Sequence, residues 1–149
     1  MLIKTLKSLF YRDLNRLKTE IASYAQEENI WIVDHGIANS AGNLCLHLIG
    51  NLQTYIGAEI GKTGYIRNRE AEFTLRDIPR SVLLDGIDNT ISVVDLALDK
   101  LNQDDLAAIY PLLVFEEKTT TEYLLVHLTT HLTYHLGQIN YHRRLLDIH

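Results

Sequence analysis

The stretch TTTEYLLVHLTTHLTYHLGQINYHRRLL, residues 119–146, decides how this chain is read. Leu124, Leu128, Leu132, Ile139 and Leu146 fall on one side of a helix, with polar residues between them. Thr119 and Glu122 form a capping-box pattern at the start. The spacing therefore predicts one long helix reaching about Leu146. Of the seven histidines in the chain, His127, His131, His135 and His142 lie in it. His131 and His135 are four residues apart, which separates them by about 40° around the axis. A rotation of about 100° per residue places both inside the apolar stripe, so both imidazoles are expected to point into the core. Leaving a buried polar ring unsatisfied costs about 1–3 kcal/mol, and two such rings need partners twice over. One divalent metal ion answers both needs, and paired histidines at i and i+4 are a common zinc geometry. The ordinary alternative for any one of them is a hydrogen-bonded core histidine.

Working outward, a third ligand must come from another helix. Asn39 or Ser40 can cap a second helix whose apolar positions are Ala41, Leu44, Leu48, Leu52, Tyr55 and Ile56, ended by Gly57, Gly61 and Gly64. His47 sits at the edge of that stripe, a position able to face a seam between helices. Leu2, Leu6, Leu9, Phe10, Leu14, Leu17, Ile21 and Tyr24 mark a first amphipathic helix. Leu84, Ile87, Ile91, Val94, Leu98 and Leu101 mark a third, after Pro79, whose seam suits either the core or a dimer interface. Between them lie a connection from about Ile30 to Ile37, an irregular stretch from Lys62 to Asp77, and a break at Asn102–Asp105. Leu112–Phe115 reads as a short extended piece covering one end of the core. Four helices over residues 1–149 read as a single all-α four-helix-bundle domain.

Composition narrows the function. With 46% hydrophobic and 22% charged residues, 149 residues can bury a sizeable core. A formal net charge of -5 opposes general nucleic-acid binding, which needs a basic face. Cys45 is the lone cysteine, so neither an internal disulfide nor a cysteine zinc site can form. There is no secretory signal pattern at the N-terminus and no apolar run of spanning length, which points to a cytoplasmic protein outside the membrane. Leu132 follows His131, so the zinc-protease His-Glu-x-x-His is absent, and no acidic residue stands three before any histidine, as a di-iron bundle requires. A mononuclear site is expected. Gly57–Thr63 mimics a phosphate loop only loosely, because its spacing is short and a helix precedes it. The Arg67, Arg69 and Glu70 run reads as a solvated loop, or as a dock for an anionic ligand or a partner subunit. His127 and His142 read as solvent-facing or as outer lining of the cleft, His35 has no visible partner, and His149 is expected to be mobile. Gly137 is expected to permit a close helix approach, and Cys45 to be a buried small hydrophobe.

The Leu46-His47-Leu48-x-Gly50-Asn51 and His131-x3-His135-x-Gly137-Gln138-Ile139 segments together resemble the two motifs of the DinB-like (YfiT-like) superfamily of metal-binding bundles. The Asn39-Ser40 helix start and the Arg67–Phe73 loop resemble one poorly characterised branch of it. The resemblance implies an up-down-down-up bundle with a long connection between the second and third helices, and a homodimer. It implies His47, His131 and His135 as ligands of one divalent transition metal: zinc, nickel or iron. It also implies transfer of a low-molecular-weight thiol to an electrophile, or hydrolysis of a small molecule. For either reaction this chain offers Tyr134, Gln138, His142 or the Arg67 loop to orient substrate. It leaves the catalytic residues unknown. A non-catalytic metal- or ligand-binding dimeric bundle of stress-response type, and a purely structural dimerising bundle with the histidines as core residues, are the competing readings.

Overall fold

The computed structural model describes residues 1–148, and His149 lies outside them. The described residues form helices joined by loops, with one isolated bridge between Ile109 and Thr120. Four long helices make the bundle: α1 (Leu2–Ala22), α2 (Ala41–Leu52), α4 (Arg80–Asp99) and α6 (Thr121–Leu146). Two short ones sit in the connections, α3 (Arg69–Thr74) and α5 (Gln103–Ala107). Among the described residues no helix is long and apolar enough to cross a membrane.

Cross-helix pairs fix the directions. Lys7 meets Asp95 and Asp99, while Lys18 meets Asp88, so α1 and α4 run antiparallel. Asp13 accepts from Thr133, and Glu20 accepts from Asn140 and Arg143, so α1 and α6 run parallel. Gln53 donates to Thr90 and Gly57 faces Val93, which sets the α2 segment parallel to α4. The order is up-down-down-up, and the long connection between α2 and α4 carries α3. The α1–α4 seam belongs to the core, where Leu14, Leu17, Leu83, Ile87 and Leu98 are fully buried.

Local chemistry explains where the elements begin and end. Ser40 caps α2 by accepting from the Asn43 backbone N–H. The α6 cap is Thr120, accepting from Tyr123 N–H, so the Thr119–Glu122 capping box does not form. Asn102 and Asp105 make a reciprocal capping box that opens α5, where the sequence shows only a break. Residues Lys62–Asp77 are not wholly irregular, because Asn68 caps α3. Leu112–Phe115 is irregular loop instead of an extended piece; Leu113 is well exposed, while Val114 and Phe115 pack against the core as expected. After Leu52 the α2 path continues as a π-helical segment, Gln53–Ala58, in which Glu59 N–H bonds to the Thr54 carbonyl. A Cβ at Gly137 would meet nothing within 4 Å, so this glycine permits no close helix approach.

Candidate metal centre

The centre lies where α2, α3 and α6 meet. Within α2 only Leu46 and Ile49 are not buried, because α3 covers the side that the bundle leaves open. His47 is therefore only 6% exposed, not a residue on the stripe's edge. The α6 histidines show the reverse. Leu125 and Leu136 are buried along with the expected stripe, which turns its centre about 20° away from the histidines. His131 and His135 are half-buried on the flank facing α2, at the rim of the core.

One nitrogen from each of His47, His131 and His135 lies within 4.8 Å of the other two. His47 Nε2 is 3.2 Å from His131 Nε2. The ring centroids are separated by 5.1, 5.3 and 4.6 Å, so the imidazoles converge instead of stacking apart.

Two of the three rings are oriented from outside. His47 Nδ1 donates to Glu72 Oε1 at 3.0 Å. An ionised carboxylate only accepts, so Nδ1 carries the proton and Nε2 keeps its lone pair toward the other histidines. Arg67 clamps the same carboxylate through Nε to Oε2 at 2.8 Å and Nη2 to Oε1 at 2.9 Å. Burial pushes the Glu72 carboxyl up, but the bonds from His47 and Arg67 outweigh it and hold it below the ordinary value. Gly50, one turn beyond His47, makes the approach possible: a Cβ there would lie 1.9 Å from Glu72 Oε2. Asn43 fastens α3 by donating to the Glu72 and Leu75 carbonyls. On α6, His135 Nδ1 donates to Gln138 Oε1 at 2.7 Å, again leaving Nε2 for the centre. His131 Nδ1 is buried without a partner.

The donor set fits one divalent transition metal. Three converging imidazoles with carboxylate and amide partners behind them are what such ions take. Three imidazoles facing one another, one with an orphaned nitrogen, are a poor arrangement for the protein alone. Burial lowers His131 to about 4, helped by His135 and His47. Burial also lowers His135, against the bond to Gln138. Both rings are therefore neutral and ready to ligate at neutral pH.

The other histidines are placed differently. His142 is buried, with Nε2 on the Ile32 carbonyl at 2.8 Å and Nδ1 on the Tyr24 hydroxyl at 2.6 Å, so it is a satisfied core residue. Its burial lowers it as well, partly offset by the Ile32 bond. His127 stacks on His131 with centroids 6.3 Å apart, beyond ligand distance of the triad. His35 is exposed beside Asp34. Cys45 is fully buried, which pushes its thiol up to about 12, as a small hydrophobe should behave. Arg67, read as part of a solvated run, is instead a half-buried clamp. The Glu72 and Gly50 roles went unseen because they depend on a contact between two elements that periodicity does not relate.

A pH prediction follows. His131, His135 and His142 resist protonation when folded, while the unfolded chain takes up protons near pH 6.5. Their contribution to stability is complete above about pH 6.5 and is lost as pH falls toward the folded values. The Glu72 and Asp13 carboxyls are lowered, so their contribution is lost only below their ordinary values of 4.5 and 3.8. Metal-free protein should therefore lose urea stability between pH 6.5 and 4.5. A urea midpoint unchanged over that window would contradict the buried neutral histidines.

A family model described as a protein of unknown function, DUF1572, matches residues 2–148. No curated protein matches the chain.

Proposed function

We propose a function for this chain, which belongs to the DUF1572 family of proteins of unknown function, from the centre itself: it binds one divalent transition metal through His47, His131 and His135. The observation that carries this reading is the convergence of the three rings, with Glu72 and Gln138 turning the free nitrogens of His47 and His135 inward. The order of the two histidine motifs and the up-down-down-up bundle also support placing the family within the DinB-like superfamily. Zinc, nickel and iron all suit this donor set.

We further propose that the centre is catalytic, in transfer of a low-molecular-weight thiol to an electrophile or hydrolysis of a small molecule. A bound divalent ion supplies a Lewis acid that brings the pKa of a coordinated water or thiol toward neutrality. The chain's own residues hold and orient: Glu72 fixes the His47 tautomer, Arg67 keeps Glu72 ionised, and Gln138 fixes His135. Three imidazoles supply three of the four ligands such an ion commonly takes, so a fourth would come from outside the triad. A non-catalytic metal-binding bundle is the second reading, favoured by Glu72, the carboxylate beside the centre, being engaged by His47 and Arg67 instead of standing free as a base. A second copy of the chain is the proposed protein partner. Elemental analysis of purified protein should give one equivalent of metal, retained through gel filtration. Purified protein that takes up no stoichiometric zinc, nickel or iron would overturn the metal reading. Thiols assayed with electrophiles and small esters should then separate turnover from binding.

A further inference from the structure

A groove of about 660 Å³ runs along the C-terminal half of α6, between it and the Asp34–Asn39 segment leading into α2. It starts at His135 and Gln138, the inner end nearest the triad, and continues past Leu44, Tyr141 and Leu145. Its size is that of an ordinary small-molecule site. Its walls are mostly aliphatic and aromatic. His142, which also borders it, has both ring nitrogens engaged by Tyr24 and Ile32, so it presents no unmet polar group. Among the described residues no lysine or arginine lines the groove, and Asp34 at its rim is the one carboxylate that does.

These features select a ligand. An anionic body would lose water and gain no cation, a costly exchange. An uncharged apolar body gives up no charge hydration and buries its surface favourably. The polar groups at the inner end are His135, a proposed metal ligand, and its partner Gln138, while Asp34, His35 and Asn39 are the polar lining of the facing segment. We propose that the groove binds the uncharged apolar body of a small substrate, an aromatic or branched aliphatic one, whose reactive head is thereby set at the histidine centre. The placing of the head rests on the metal reading; the body site stands without it.

The test uses two dyes with the same aromatic body, neutral N-phenyl-1-naphthylamine and anionic 1-anilinonaphthalene-8-sulfonate, titrated by fluorescence into the full chain. The neutral dye should bind about tenfold or more tighter than the sulfonate, because the sulfonate meets no cation. Leu145 is 65% exposed, so Leu145→Arg should fold normally. It should weaken the neutral dye and strengthen the sulfonate, reversing or levelling the preference. Removing metal, or His131→Ala, should leave neutral-dye binding unchanged, so failure of the groove and failure of the metal centre are separately visible. Equal binding of the two dyes, or no response to Leu145→Arg, would overturn the proposal. So would dye binding that disappears as the protein self-associates while Leu145→Arg gives a monomer, since a second copy would then be the occupant.

Discussion

His131→Ala should remove the stabilisation that added divalent metal confers and leave the metal-free protein at least as stable as wild type. The two halves have different origins. In wild type, metal at a hundred times its dissociation constant should add about 2.7 kcal/mol, or roughly 5–10 °C in Tm for a chain of this size. Removing a ligand should weaken binding well beyond the ~10–100-fold that loss of an outer-shell partner costs. At the same metal concentration the variant then gains at most about 0.4 kcal/mol. The metal-free comparison sets lost packing against a removed defect. His131 is half-buried, its Nδ1 has no partner, and its Nε2 faces another imidazole. Deleting an unsatisfied buried polar atom returns about 1–3 kcal/mol, which offsets the packing lost from a partly exposed ring. An ordinary hydrogen-bonded core histidine would behave oppositely, destabilising the apo protein and leaving metal response unaffected. Differential scanning fluorimetry with zinc or nickel against EDTA decides between them. A variant that responds to metal as wild type does would remove His131 from the site.

What the sequence made legible follows from periodicity. The α1, α4 and α6 stripes are long, so their helices were readable, and the i, i+4 spacing of His131 and His135 survives any small error in register. The exact burial did not survive. Leu125 and Leu136 shift the α6 stripe, and α3 covers the flank of α2 that would otherwise be an edge. Both effects come from what a helix packs against, which its own pattern does not contain. The short helices α3 and α5 were missed because one turn carries too little periodicity; their signal was the caps, Asn68 and the Asn102–Asp105 pair. The family resemblance supplied His47, and the structure adds a physical reason for part of its motif. Gly50 leaves the space that the Glu72 carboxylate fills.

That reason gives the second large effect. Glu72→Gln and Gly50→Ala should each weaken metal binding by about 10–100-fold, or ~1.4–2.8 kcal/mol. Glutamine keeps the shape of the side chain but loses the charge that holds the His47 proton on Nδ1. Alanine at position 50 leaves Glu72 intact but puts a methyl group where its Oε2 lies, so α3 must back away from His47. Intrinsic propensity acts the other way, since alanine in a helix is better than glycine by about 1 kcal/mol. Gly50→Ala should therefore lose metal affinity without a matching loss of helix stability, a combination that general misfolding does not produce. Arg67 keeps 13% of its side chain exposed and can swing toward water when its partner goes. A collapse of the full 3–5 kcal/mol expected for a broken, fully buried pair is therefore not anticipated. A double-mutant cycle isolates the contact. In the Glu72→Ala background there is no carboxylate left to displace, so adding Gly50→Ala should cost little further affinity. Competition titrations with a chromophoric chelator read all four proteins. Additive losses would show that Gly50 acts on the site by some route other than Glu72. Wild-type affinity in both single variants would show that the carboxylate behind His47 does not set the ligand geometry.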